Sequence, residues 1–239
     1  MTTPAIEPLG DAALLLRWGE RIDPDLNRRV HVLAAALDVI RPPWLLDLVP
    51  AYATLALYLD TAAFGPAEPP LAAAERWLRA RLATLADHTD DPAATPSARS
   101  IEIPVRYGGE DGPDLDAVAR DSGLSPDEVV ARHTAGDYHV ALLGFAPGFP
   151  YLLGLDPMLA LPRLATPRQR VPAGSVAIGG AQTGIYPRES PGGWRIIGRT
   201  PLVLFDPLRD PPALLAPGDR VRFVAVDDAA FATHARERR

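Results

Sequence analysis

Gly144 to Leu155 reads GFAPGFPYLLGL, and Thr166 to Pro207 reads TPRQRVPAGSVAIGGAQTGIYPRESPGGWRIIGRTPLVLFDP. No helix tolerates this density of proline and glycine. Proline fixes φ and lacks an amide donor, glycine admits positive φ, and their alternation with short apolar runs dictates tight turns between strands. The same stretch carries Phe149, Tyr151, Arg168, Arg170, Gln182, Thr183, Tyr186, Arg199 and Thr200. A preshaped surface of aromatic faces, guanidinium forks and amides suits a small polar or anionic ligand.

Around this array the pattern is one of short strands. His139 to Phe145, Gly174 to Ile178, Trp194 to Ile197, Leu202 to Phe205 and Arg220 to Val226 are short apolar runs separated by turn signals, the spacing of a closed or nearly closed β-barrel. Between Pro113 and Gly136 two short helices are expected, the second opened by Ser125-Pro126 with Glu128 completing a capping box. The terminal ARERR reads as solvated and frayed.

Upstream, strand and helix alternate. A strand is expected at about Ala12 to Trp18, and a helix from Pro24 to Ile40 with Asp23 as N-cap. A hairpin of Trp44 to Pro50 and Ala53 to Leu59 follows. A second helix spans Pro70 to Ala86, with Leu71, Ala74, Trp77, Leu78, Leu82 and Leu85 on one face. After the linker DHTDDPAATPSARS, the strand Ile101 to Tyr107 either completes a βαββαβ unit of ferredoxin-like type or begins the next domain. The boundary is placed near residue 97, giving an α+β chain with domains 1–97 and 98–239.

Composition narrows the function classes. The 239 residues are 47% hydrophobic with net charge -6, so a substantial core is available and a nucleic-acid surface is not expected. There is no cysteine, hence no thiol nucleophile, and a reducing cytoplasmic setting is the default expectation. Neither a secretory leader nor an 18-residue apolar run is read in the sequence, so no membrane partner is expected. All 24 basic residues are arginine, which removes Schiff-base and phosphate-loop lysines. Five scattered histidines predict no bound metal.

No GxSxG, HExxH or GxGxxG signature occurs, so the chemistry must be weighed residue by residue. Phe145, Phe149 and Tyr151 plug the base of the barrel on one reading, with a pocket-wall role the alternative for Phe145, and Tyr151 is the better ligand candidate because its tip is polar. Alternation puts Arg168 and Arg170 on one side of an extended segment, where paired forks fit a carboxylate or phosphate; a solvated pair on a loop is the ordinary alternative. Gln182, Thr183 and Tyr186 bring an amide, a hydroxyl and a phenol together within five residues, suited to reading an amide or lactam. Arg199 with Thr200 either clamps an anion or lies in a rim salt bridge.

GFAPGFPYLLGL, the 166–201 segment and LAPGDRVRF resemble the carboxyltransferase-type family that contains the B subunit of 5-oxoprolinase, allophanate hydrolase subunit 1 and a sporulation-kinase inhibitor. That resemblance spans nearly the whole chain. It implies an N-terminal α/β domain, a C-terminal cyclophilin-like barrel, and a homologous second-half partner subunit. It further implies ATP-dependent opening of the lactam of 5-oxoproline to glutamate with a third subunit, the ATP site not lying on this chain alone. Inhibition of a sensor histidine kinase and an allophanate- or urea-linked carboxyltransferase role are the alternatives. Read onto this chain, Gln182, Thr183 and Tyr186 meet the amide, Arg170 with Arg199 holds an anion, and Phe149 with Tyr151 closes the wall. The general base is left open between Asp206, Glu189 and a partner residue.

Overall fold

A computed structural model describes residues 3–89 and 99–236, and the chain divides into two compact units, Met1–Ala98 and Arg99–Arg239. Most of the expected linker, the boundary at 97 and the last residues of ARERR lie outside the described residues, as does the side chain of Leu85. Together the units form an α+β protein with a closed seven-stranded barrel.

The first unit runs β1 (Ala5–Pro8), β2 (Ala13–Arg17), α1 (Pro24–Val39), β3 (Leu45–Pro50), β4 (Thr54–Leu59) and α2 (Pro70–Thr89). Its sheet is antiparallel in the order β1-β2-β4-β3. Asp23 caps α1 by accepting from the amides of Asp25 at 2.9 Å and Leu26 at 3.1 Å, which satisfies two of the four orphan donors of the first turn. Leu14, Leu16, Leu55 and Leu57 from the sheet pack against Val30, Leu33, Leu37 and Leu78 from the helices. Strand β1 was not expected, since four residues with no clean alternation give too short a periodic signal.

In the second unit, β5 (Ser100–Tyr107) does not complete the N-terminal sheet. It pairs in parallel with β13 (Arg220–Ala225) and joins the barrel. The remaining barrel strands are β6 (Tyr138–Leu143), β7 (Pro150–Leu153), β9 (Ser175–Gly179), β10 (Gln182–Ile185) and β12 (Arg195–Arg199). They close in the order β10-β7-β6-β13-β5-β12-β9, with β9 and β10 paired antiparallel. A separate ribbon joins β8 (Arg168–Val171) to β11 (Ser190–Gly192). Between β5 and β6 stand α3 (Leu115–Ser122) and α4 (Pro126–Ala135), the latter opened by the Ser125/Glu128 capping box.

One expectation is corrected. Leu202 to Phe205 is not a strand: only an isolated bridge joins Phe205 to Ala213. Pro201, Pro207, Pro211 and Pro212 remove the donors a ladder needs, and Arg209 instead donates to the carbonyls of Val203, Leu204, Pro211 and Pro212. At the C-terminus α5 (Asp228–Arg236) is helical into the ARERR segment; Asp227 accepts from the amide of Ala230 at its start.

Candidate functional site

Strand alternation divides the Gly/Pro array between two faces of the barrel wall. Val176, Ile178 and Ile185 point inward, joining Ile103, Val105, Tyr138, Val140, Leu152, Val221 and Phe223 in the barrel core. Ala177 and Ile196 point outward with Ala146, Phe149, Val171, Tyr186 and Trp194, a second cluster against which Tyr151 is packed. This outer face is where the aromatic and cationic residues gather.

The turn GFAPGF shapes one edge. Ala146 N–H donates to Gly144 C=O at 2.7 Å across Phe145, whose φ is +65°. A two-residue hydrogen bond about a positive φ is the strained γ-turn, costly for a bulky side chain. It throws the Phe145 ring outward, 63% exposed, where its edge meets Phe149 at 5.4 Å and Tyr186 at 6.3 Å. Phe149 is buried at the centre, edge-on to Tyr186 at 5.2 Å and Trp194 at 5.6 Å and tilted against Tyr151 at 5.0 Å. Tilted and T-shaped contacts of this kind add about 0.5–1.5 kcal/mol each beyond area burial. Phe149 is thus core beneath the surface, and Tyr151 is the half-buried member beside it.

Two glycines make the packing possible. A Cβ on Gly179 would stand 2.5 Å from the Trp194 ring, and one on Gly192 would stand 2.2 Å from the Tyr186 hydroxyl. Trp194 therefore lies flat on the backbone of β9, opposite which β10 places Gln182 by its pairing with Gly179. Gln182 is buried and shares its face with Gly184. Burial raises the Tyr186 phenol above its usual pKa, offset by a backbone hydrogen bond from Trp194 and by the charges of Arg163 and Arg168. The phenol stays protonated at neutral pH and is a hydrogen-bond donor there.

Thr183 does not join these groups. On the inward side of β10 it donates to the Ala177 carbonyl at 3.0 Å and contacts His133 Nε2 at 3.0 Å. Its one hydrogen is spent on the carbonyl, so Nε2–H must donate to Thr183 Oγ1, and Nδ1 accepts from Tyr107 O–H at 2.7 Å. His133 is fully buried, and burial drives its pKa down to about 3. Thr200 is likewise buried and accepts from the amide of Leu202 at 3.3 Å. The Thr183 hydroxyl is bound on the inner side, and that of Thr200 holds a local amide.

The expected arginine pairs do not converge on one anion. Arg168 donates to Asp114 at 2.7 Å, and Asp114 also accepts from the Ile196 amide at 2.7 Å. Arg170 pairs with Glu189 at 2.8 Å and is 79% exposed. Arg199 donates to the Ala173 carbonyl at 2.9 Å and lies 3.8 Å from Asp111. Each side chain already holds a local acceptor, because carboxylates distant in sequence fold back onto the ribbon. Sequence reading missed Asp114 and His133. The second had a signal, since Val129 and His133 stand four apart on one face of α4.

Arg163 was also missed. Its guanidinium stands over the Trp194 ring at 5.5 Å from the centroid. Elsewhere, a shallow cavity of about 560 Å³ beside α4 is lined by Glu128, Arg132, Gly136, Gly154 and Asp156 among others. It touches none of the expected site residues, and the Arg132–Asp156 pair at 2.8 Å spans two of its lining residues. Among the described residues no three His, Asp or Glu side chains converge on a metal position, and no helix is long and apolar enough to cross a membrane.

Residues 4–215 match the family described as carboxyltransferase domain, subdomain C and D. The chain is 43% identical over 237 residues to the B subunit of 5-oxoprolinase from Bacillus subtilis (strain 168), covering 97% of each. To the corresponding B subunit of 5-oxoprolinase from Escherichia coli O157:H7 it is 58% identical over 135 residues, 56% of this chain and 62% of that one. The crystal structure of TTHA0988 superposes with a TM-score of 0.73 at 44% identity, covering 90% of this chain but 40% of that longer one.

Proposed function

We propose a function from one premise: the chain belongs to the carboxyltransferase-domain family, subdomain C and D. It acts within an ATP-dependent 5-oxoprolinase that opens the lactam of 5-oxoproline to L-glutamate with partner subunits. The observation that carries this reading is the 43% identity to a 5-oxoprolinase B subunit over 97% of both chains. Such a match includes both compact units rather than one shared fold.

The outer face of the barrel is the proposed contribution to the reaction chamber. Gln182 and the protonated Tyr186 read the amide, while Tyr151 over the buried Phe149 forms the wall. Lactam opening is slow because resonance stabilises the amide; activation at its oxygen develops charge that guanidinium groups stabilise. Arg168, Arg170 and Arg199 rim this face, each already tethered by a neighbouring carboxylate or carbonyl. ATP is used by the complex, with its site not on this chain alone, and the partners are a homologous second-half subunit and a third subunit, in the cytoplasm.

The same premise supports naming the two folds. The order β1-β2-β4-β3 is that of a ferredoxin-like sheet whose last strand has moved to the start of the chain, and the seven-stranded barrel is read as cyclophilin-like. Mixing this chain with its two companion subunits, 5-oxoproline and ATP tests the function. Glutamate is expected only when all three chains are present; full activity without this chain refutes the reading.

A further inference from the structure

Arg163 owes its position over Trp194 to hydrogen bonds on both sides, one main chain to main chain and one from a side chain to a carbonyl. Leu164 N–H donates to Gly193 C=O at 2.7 Å, and Arg195 Nε donates to Pro162 C=O at 3.0 Å. One step further back, Gly180 N–H donates to Leu161 C=O at 2.8 Å. The 161–164 segment is therefore stapled across the ends of β9 and β12, and Arg163 is the residue between the staples. Its proline neighbour restricts the backbone further.

The cation is placed but not neutralised. Arg168, Arg170, Arg195 and Arg199 each have a carboxylate within 4 Å; Arg163 has no such partner among the described residues, only the indole face. A cation–π contact at 5.5 Å uses no carboxylate and leaves the guanidinium N–H groups for a bidentate acceptor. Tyr186 packs in the same outer cluster as Trp194, its hydroxyl against Gly192, which brings the guanidinium and a buried phenol to one side of the barrel wall.

We propose that Arg163, seated on Trp194, is the specificity-determining residue that takes the carboxylate of a small lactam acid, with Tyr186 at the amide end. This rests on the proposed 5-oxoprolinase role and displaces Arg170 and Arg199, both already engaged, from the carboxylate-holding task.

The test compares L-5-oxoproline with its neutral carboxamide, L-5-oxoprolinamide, in the assembled three-subunit complex. Arg163→Gln is expected to raise KM for the acid by about tenfold or more, the scale of one lost charge-assisted hydrogen bond, while kcat for the acid and KM for the carboxamide stay within about twofold. Arg163→Lys, which keeps the charge but not the fork, should recover part of the loss. An unchanged KM for the acid, or equal losses for both compounds, overturns the assignment.

A second arm needs no turnover. In the full chain, the Trp194 indole N–H resonance, assigned with Trp194→Phe, should shift on titration with L-5-oxoproline but not with pyrrolidin-2-one, and the shift should vanish in Arg163→Gln. A shift that persists in Arg163→Gln overturns the proposal. If the wild-type complex releases no glutamate from 5-oxoproline, the functional reading fails, and this titration alone decides for or against Arg163.

Discussion

Thr183 and Tyr186 stand three residues apart in QTGIY and belong to different regions of the molecule. Inside the barrel, Tyr107, His133, Thr183 and the Ala177 carbonyl form a buried relay in which every donor has an acceptor. Outside, Tyr186 and Trp194 are themselves buried beside the exposed Phe145 and the half-buried Tyr151, while the guanidiniums of Arg163 and Arg170 stand in solvent. A buried polar group must be satisfied or it costs the full desolvation penalty, whereas a half-exposed one keeps the option of a ligand. The inner chain is satisfied within the protein, and the outer face carries the side chains proposed above for recognition.

The comparison breaks most visibly at His133. Replacing it with alanine orphans Tyr107 O–H and Thr183 Oγ1 and opens a cavity, for an expected loss of about 3–5 kcal/mol in urea unfolding. A loss below about 1 kcal/mol would show that the inner chain is not a stabilising element.

The same residue predicts an acid limb. Its folded pKa, about 3, lies below the ordinary 6.5 because burial disfavours the cation, so the unfolded chain binds the extra proton. Stability is complete above about pH 6.5 and falls by roughly 1.4 kcal/mol per unit as pH drops toward 3. His139, also depressed chiefly by burial with Asp137 and Arg220 nearby, adds to that limb. Unfolding measured from pH 7 to pH 4 should therefore be shallower, but not flat, in His133→Gln.

A sharper contrast uses the two ends of QTGIY. Thr183→Val leaves His133 Nε2–H and the Ala177 carbonyl unpaired and should cost about 1–3 kcal/mol of stability, with KM for 5-oxoproline unchanged in the complex. Tyr186→Phe removes a buried hydroxyl that accepts from the Trp194 amide, so it too should cost about 1–3 kcal/mol, but unlike Thr183→Val it should lower kcat/KM about tenfold or more. If both variants change kcat/KM alike, the two-faced reading of QTGIY is wrong.

The smallest effect is expected at Arg170. Its pair with Glu189 is exposed, so Arg170→Ala should move the melting free energy by no more than about 1 kcal/mol. A loss of turnover without a melting change would restore it as a ligand contact; no change in either would leave it as a surface pair.

Much of the architecture was legible locally. Asp23-Pro24 and Ser125-Pro126-x-Glu128 announce helix starts because cap and N1 chemistry act within one turn. Short apolar runs between prolines and glycines located most of the barrel. What failed were elements with weak periodicity, such as β1, or with apolar content but no ladder donors, such as Leu202 to Phe205. For the candidate site the sequence supplied the residue types, and the structure adds that Arg170 and Arg199 have local acceptors, Glu189 and the Ala173 carbonyl.

The sequence by itself determined that residues 144–207 fold as strands and tight turns bearing aromatic and cationic groups, because proline and glycine act on the backbone where they stand. Only the tertiary structure decided which side chains face inward and which carboxylate neutralises which arginine. Register and the return of Asp114, His133 and Arg163 from other parts of the chain set those choices, and contacts across 31 to 54 residues leave no periodic trace in the sequence.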